Sequence, residues 1–467
     1  MKKPLSKSLK TFYGVGDLGF SLMTSVGVYL QTYFLTDVAG FNLALVALII
    51  SIPNTFDAIF SGVYGAVIDT VKPMRWGKLR SWLIVLPPLV VLFMTLQYTK
   101  IGTDNIAAII IIVSAVISKP LLNTPWVANL ALLPLLANNT QEKVLLSSRR
   151  MFWSSISRLF FSYISTPLAL FVGTVTGNLV FGYTVLQFLM AVSMWAGYLI
   201  TFKMTEGYEE LPVKGAEAQQ TKTAVKKKER ASLSDILKNL FQNPPLLVLL
   251  LADYGRNIAA FIMAGSIAYY YTYVAQNMAL MPLHMLITSI ASILGTLASP
   301  AVSKRINNTR TMTITGTLIS GCLYLIARFV GLQTSLFIAV FACSSFIVGI
   351  TGSSNVALYS DTIVYGEWKT GQNTAGFIMG LMNFPLKVGK MTNGIIMAAA
   401  LASIGFVAKM TPTPALKAGI INIMTLIPAA GLLFTGLVLL LGFKLTEARV
   451  KQMQDEINAR KNEAIAH

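Results

Sequence analysis

The apolar positions of this chain fall in long unbroken runs separated by short polar gaps, and twelve such runs lie near residues 13–37, 42–69, 81–99, 106–137, 151–175, 178–204, 245–275, 281–302, 311–331, 334–358, 373–408 and 417–443. A helix needs about 20 apolar residues to cross a hydrocarbon core about 30 Å thick. Each run is long enough. A membrane barrel would alternate apolar and polar residues over segments of about ten, whereas IAAIIIIVSAVI and GLLFTGLVLLLGF are apolar throughout. The pattern predicts an all-α polytopic membrane protein with twelve transmembrane helices.

Composition agrees, with 54% hydrophobic and 12% charged residues among 467, about half the charge that a soluble domain carries. The net charge of +18 raises the question of nucleic acid, but its placement answers it. Lys2, Lys3, Lys7 and Lys10, then Lys72, Arg75, Lys78 and Arg80, then Lys143, Arg149 and Arg150, then Lys304, Arg305 and Arg310 occupy alternate connections. Cytoplasmic loops collect lysine and arginine, so both termini are expected in the cytoplasm of a multi-pass protein in a bacterial plasma membrane. The bilayer is the expected partner, and no nucleic acid is. The opening MKKPLSKSLK leads into the first run without a small-residue cleavage site, so it reads as a retained segment. Cys322 and Cys343 have no metal or disulfide spacing and read as small packing residues.

The longest polar interruption divides six spans from six, giving residues 1–204 and 245–443 as two six-helix bundles, 205–244 as a cytoplasmic linker and 444–467 as a cytoplasmic tail. Within the linker, Ser232 three residues before Asp235 suits a helix start, and Leu233, Ile236, Leu237, Leu240 and Phe241 follow at helical spacing. A short amphipathic helix on the membrane surface and an unstructured lysine-rich linker on lipid headgroups both fit. Two six-span halves joined by a long loop resemble the major facilitator fold, in which solute binds between the halves near mid-membrane.

Ionisable residues inside spans cost about 2.5 to 3.5 kcal/mol each on insertion scales and tend to face partners or wet cavities. Here they are Asp17, Asp57, Lys119, Arg158, Asp253, Arg256, Lys387 and Lys390, with Arg150 at a span edge. Asn54, Asp57 and Ser61 share one helical face, and Lys119, Asn123 and Asn129 share another less perfectly, Asn129 being six residues beyond Asn123. Asp253 and Arg256, three apart, can pair with each other. In the loop after the second span, Asp69 ends a helix, Pro73 and Gly77 force a tight connection, and Arg75, Lys78 and Arg80 can meet a carboxylate or the carbonyl end of a helix. Such a cluster can latch one face, or it can serve orientation alone.

Three segments carry a family resemblance: YGVGDLG at 13–19, FDAIFSGVYGAVIDTVKPMRWGKLRSW at 56–82, and YGEWKTGQNTAGF at 365–377. Their order and spacing resemble the glycoside-pentoside-hexuronide:cation symporters of the major facilitator superfamily. That resemblance implies secondary transport of a carbohydrate solute, with no cofactor. It implies a solute and coupling-ion site that includes Asp57, Asn123, Trp126, Arg150 and Lys387, to which the intramembrane charges Asp17 and Lys119 are added, and a cytoplasmic gate is expected at Asp69, Arg75, Lys78, Tyr365 and Glu367. Ser61 and Ser21 stand where the family pattern places carboxylates, and Lys119 is an added cation. A hard cation prefers several oxygen ligands, so sodium-independent transport is expected, with a proton as coupling ion on Asp57.

The surviving cations suggest an anionic sugar derivative as solute by charge matching. Uncoupled or exchange transport with Lys119 as a permanent internal cation, and a transport-silent sensor or scaffold, are the alternatives. With two histidines in the chain and no GxSxG, HExxH or phosphate-loop pattern, an enzyme is not expected.

Overall fold

The structure is a computed structural model, and it describes residues 3–71, 74–138, 140–209, 241–306, 308–352, 354–371, 378–379 and 381–466. Among these residues every regular element is a helix, and the sole strand-like feature is an isolated bridge between Met74 and Gly77 in a connecting loop. Nine helical stretches among them are long and apolar enough to cross a membrane unaided. They correspond to the second, fourth to tenth and twelfth runs of the sequence.

The other three runs are helical too, and the reason each falls short is local. The first is Val15–Tyr29, continued by Gln31–Tyr33 and a wide π-helical turn at Phe34–Val38. The third breaks at Leu86 into Trp82–Val85 and Pro87–Leu96, as expected where proline cannot donate a backbone bond. The eleventh, Phe384–Ser403, carries Lys387 and Lys390. The remaining spans are Leu43–Thr70, Asp104–Leu136, Thr140–Thr176, Leu179–Met204, Pro244–Tyr269, Met281–Ile306, Thr309–Phe329, Thr334–Gly352 and Pro414–Gly442, in chain order. Helices Ser354–Thr370 and Glu447–Ala466 lie outside that set.

Asparagine marks several helix starts by accepting a bond from an otherwise orphaned amide. Asn178 Oδ1 accepts from the Phe181 amide at 3.2 Å, and Asn308 Oδ1 from the Thr311 amide at 3.0 Å. Large apolar side chains such as Ile109, Phe171, Leu297 and Leu441 stand more than 60% exposed, an arrangement stable only against lipid. Cys322 and Cys343 are exposed among them, rather than packed inside as the sequence suggested; thiols of this size are tolerated on a lipid-facing surface.

Packing divides the chain into two compact units: residues 3–209 with Phe261–Ser289 and Lys390–Met424, and Ile290–Gly389 with residues 241–260 and 425–466. In the first unit, the first and sixth spans approach so closely that a side chain on Gly19 would start 2.5 Å from the Met194 backbone, and one on Gly197 would start 2.6 Å from the Val15 carbonyl. Small residues permit such contact between membrane helices, where packing rather than water drives association. In the second unit, Leu249, Leu358, Tyr359, Leu439 and Phe443 form a core that the tail helix completes with Met453. The linker segment containing Ser232 and Asp235 lies outside the described residues.

Candidate functional site

Proline shapes the site. Pro53 lies inside the second span, and Pro120 and Pro125 lie inside the fourth. Each removes the amide that would bond the carbonyl four residues earlier. Pro53 itself lines a cavity, as do Leu122 and Asn123 between the two prolines of the fourth span. A cavity of about 190 Å³ in the first unit is lined by Asn54 and Asp57 of the second span and by Ser118, Lys119 and Asn123 of the fourth. The seventh span adds Phe261, and the eleventh adds Lys390 and Asn393.

The wall is a hydrogen-bonded network in which neutral amides meet the charged groups. Lys119 Nζ donates to Asn54 Oδ1 at 2.8 Å, while Asn54 Nδ2 donates to the carbonyl oxygens of Ile50 at 2.9 Å and Lys390 at 3.2 Å. Asn123 Nδ2 donates to Asp57 Oδ1 and to the Lys119 carbonyl, both at 2.9 Å. Asn54 therefore ties the second span to the fourth and the eleventh. The eleventh can come this close because Gly394 has no side chain: a Cβ there would sit 2.7 Å from Ile50 Cβ. Gln97 Nε2 bonds Ser118 Oγ at 3.1 Å and holds the third span against the fourth.

The structure thus brings Asp57, Lys119 and Asn123 together, and places the other expected site residues elsewhere. Asp17 and Arg150 engage one another in a buried two-point ion pair, Arg150 Nε to Asp17 Oδ2 and Nη2 to Oδ1, both at 2.6 Å. Trp126 stacks on Phe20 with ring centres 6.0 Å apart, and it is Phe20 that lines the cavity. Lys387 is not a lining residue; Lys390, one turn on, is. Ser21 and Ser61, at the two positions of missing carboxylates, bond Ser154 Oγ at 2.7 Å and the Ala58 carbonyl at 3.2 Å. In the second unit, Asp253 pairs with Arg256 at 2.9 Å, as their spacing allows, and also accepts from Asn355 and Tyr359.

Of the expected gate residues, the Asp69 side chain lies outside the described set. Arg75 sits over the Trp76 ring at 5.8 Å, and Lys78 lies in the same loop. Arg80 does meet the carbonyl end of a helix, donating to Phe202 O at 2.7 Å and to Thr205 Oγ1 at 3.2 Å. Glu209 then accepts from the Leu79 and Arg80 amides at 2.8 and 3.0 Å. Tyr365 and Glu367 lie on Ser354–Thr370 in the second unit, where Tyr365 packs beside Trp368.

A second polar cluster joins the first and seventh spans at their ends remote from the N-terminus. The stretches Tyr33-Phe34-Leu35-Thr36-Asp37-Val38-Ala39 and Tyr269-Tyr270-Tyr271-Thr272-Tyr273-Val274-Ala275 match at five of seven positions if Phe34 and Tyr270 are counted as aromatic. Both contain a π-helical turn, Phe34–Val38 and Tyr270–Val274. Both are followed closely by a residue of positive φ, Gly40 at 74° and Gln276 at 52°.

Their contacts are reciprocal. Thr36 Oγ1 and the Tyr269 hydroxyl lie 2.7 Å apart, and Thr272 Oγ1 donates to the Tyr33 hydroxyl at 3.0 Å. The Tyr33 and Tyr269 rings meet edge to face at 5.5 Å. At one of the two positions where the repeats differ, the Tyr273 hydroxyl donates to Asp37 Oδ1 while accepting from the Lys409 amide at 2.9 Å. Asp37 also accepts from Thr36 at 2.8 Å. The reading of the sequence passed over this cluster because Asp37 falls at a run's end, where a carboxylate is unremarkable; the repeated Tyr-x-x-Thr-x-Val-Ala was the available signal.

Membrane-crossing helices around a small cavity walled by paired amides, a carboxylate and ammonium groups define a polytopic transporter rather than an enzyme. The chain belongs to the MFS/sugar transport protein family, whose profile matches residues 12–447. It is 26% identical over 471 residues to the glucuronide carrier protein homolog of Escherichia coli (strain K12), covering 99% of this chain and 97% of that one. A putative sulfoquinovose importer of the same organism is 25% identical, with coverage of 98% and 95%. Among solved structures, a D-xylose-proton symporter superposes with a TM-score of 0.65 at 12% identity, over 93% of this chain and 97% of that one, a likeness of fold.

Proposed function

We propose that the chain carries a sugar, glycoside or anionic sugar derivative across a bacterial plasma membrane by alternating access, driven by proton symport. The observation that carries this reading is the cavity wall in which Asp57 and Lys119 are each bound by an asparagine on a neighbouring helix. Asn123 Nδ2 can donate to Asp57 Oδ1 whether or not the carboxyl is protonated at its other oxygen. Lys119 and Lys390 give the cavity a positive character suited to an acidic solute. The names of two relatives, a glucuronide carrier homolog and a putative sulfoquinovose importer, support that solute class. Ser21 and Ser61 offer no carboxylate to a hard cation, which supports a proton over sodium.

Alternating access needs an end that closes and reopens. With both termini taken as cytoplasmic, the Tyr33–Asp37 and Tyr269–Tyr273 cluster is the closed outer gate. The division proposed for the chain remains two six-helix bundles, 1–204 and 245–443, with 205–244 as linker and 444–467 as tail. The gate on the inner face is assigned to Asp69, Arg75, Lys78, Tyr365 and Glu367, and Asp17, Trp126, Arg150 and Lys387 are positioning residues around the site.

The experiment is uptake of labelled D-glucuronate into proteoliposomes under an imposed pH gradient or an imposed sodium gradient, with Asp57→Asn alongside. Concentrative uptake that follows the pH gradient, ignores sodium, and falls to simple exchange in Asp57→Asn is expected. Uptake that needs a counter-solute and no gradient would establish exchange instead, and sodium-driven uptake would refute the proton assignment.

A further inference from the structure

Two residues that line the cavity each carry a buried polar atom without a hydrogen-bond partner: the Tyr98 hydroxyl and Asn393 Oδ1. Tyr98 is 1% exposed and follows the third span, while Asn393 lies on the eleventh, one turn beyond Lys390. Other polar side chains that line the same cavity are bonded. Gln97, next to Tyr98, donates to Ser118, and Asn54 and Asn123 are bonded through their side-chain nitrogens. A buried polar atom without a partner is costly, and one at a cavity wall calls for a specific explanation.

Gly27 lies beside Tyr98. Its side chain, if it had one, would begin 3.9 Å from both the Tyr98 hydroxyl and Gln31 Oε1, and both Gly27 and Gln31 line the cavity.

We infer that Tyr98 and Asn393 read the hydroxyl groups of the solute and so set the specificity of this site for a polyhydroxylated ring. The chemistry is selective. Asn393 Oδ1 can only accept, so it accepts a hydrogen bond from a solute hydroxyl and repels a carboxylate or sulfonate. Tyr98 can donate to a hydroxyl oxygen or accept from a hydroxyl proton. The ammonium groups of Lys119 and Lys390 offer the matching partner for an acidic substituent, so charge and hydroxyl recognition fall to different residues. A site built to bond a hydroxyl discriminates strongly against an analogue lacking it, because its own buried groups are then left unpaired. The inference rests on the sugar reading of the cavity.

The test uses the purified full chain in detergent and follows thermal unfolding with D-glucuronate, D-glucose and cyclohexanecarboxylate, a ring acid without hydroxyls. The wild-type chain should be protected by D-glucuronate at a concentration about tenfold or more below that needed of cyclohexanecarboxylate. Tyr98→Phe and Asn393→Leu should each shrink that ratio to about threefold or less, while ligand-free Tyr98→Phe melts no lower than wild type because its lost hydroxyl had no partner. Should Asn393→Leu fail to fold, Asn393→Asp keeps the acceptor and should retain the hydroxyl preference while weakening D-glucuronate relative to D-glucose. Protection of the wild type with ratios unchanged in Tyr98→Phe, or a lower melting point for the ligand-free variant, overturns the inference alone. A wild-type chain that no sugar protects overturns the sugar reading and the inference with it.

Discussion

If the paired repeats at the ends of the first and seventh spans close the outer side, removing one hydroxyl should open it by a calculable amount. The perturbation is Tyr273→Phe, which deletes the donor to Asp37 and the acceptor for the Lys409 amide while keeping the ring against Phe406. Asp37 is 5% exposed and Tyr273 3% exposed, so in the closed state water does not replace the lost bond. A hydrogen bond to a charged group contributes about 1.5 to 3 kcal/mol, and in an open state water would hydrate Asp37 in either protein. The closed state therefore loses about that much relative to the open one, a shift of about 10- to 150-fold in the open population.

Tyr269→Phe removes a bond to neutral Thr36, and at about 0.5 to 1.5 kcal/mol should shift the population only about 2- to 12-fold. The assay replaces Cys322 and Cys343 with serine, introduces Val28→Cys on the cavity wall, and measures its alkylation by a membrane-impermeant maleimide added outside whole cells. The expected order is Tyr273→Phe fastest, Tyr269→Phe intermediate and the parent slowest. Equal rates in all three, or a larger effect from Tyr269→Phe, would refute the reasoning.

Breaking the Asp17–Arg150 pair with Asp17→Asn or Arg150→Met alone should destabilise the protein by about 3 to 5 kcal/mol, because one buried charge is left uncompensated. Asp17→Leu with Arg150→Met should recover most of the melting temperature, and a double variant no better than the worse single one would contradict the pairing. Gly394→Val should cost about 1 to 3 kcal/mol by overpacking against Ile50 and should weaken solute protection by moving Lys390 and Asn393, measured by thermal unfolding with and without D-glucuronate. On the tail helix, Glu456 is held below its ordinary value of 4.5, first by the Trp368 indole N–H and then by Gln452 and nearby arginines. Its contribution is complete above the ordinary glutamate range and is lost as pH falls through the lowered value. Protease resistance of the tail should therefore hold steady from neutrality to about pH 5 and drop only in stronger acid, and Trp368→Phe should abolish that step.

Much of this architecture was legible because the bilayer demands long apolar helices, and the sequence writes such helices as continuous runs. Two of the three runs that fall short did so at features also visible in the sequence: Pro87 and Pro88 in the third, Lys387 and Lys390 in the eleventh. The site was legible in part. Spacing put Asn54 and Asp57 on one helical face and Lys119 and Asn123 on another, and those four residues do meet. Spacing along one helix says nothing of which residue on a distant span arrives opposite. Hence Lys390 rather than Lys387 lines the wall, a choice fixed by the close approach at Gly394. Arg150 and Asp17 looked like site residues because buried charges usually face a cavity, yet two of opposite sign satisfied each other first.

If the cavity couples solute movement to a proton, its asparagines bear on how. Here each charge has an amide in contact, Asn123 on Asp57 and Asn54 on Lys119. Asn123 Nδ2 can still donate to the carbonyl oxygen of a protonated Asp57. Asn54 meanwhile spans the second, fourth and eleventh helices through its oxygen and its nitrogen. A solute anion that draws Lys119 away from Asn54 would release the side-chain bond that ties the fourth span to the second. Loading the cavity and loosening the contact between its walls would thus be one event, which is the link that a symporter requires between binding and movement.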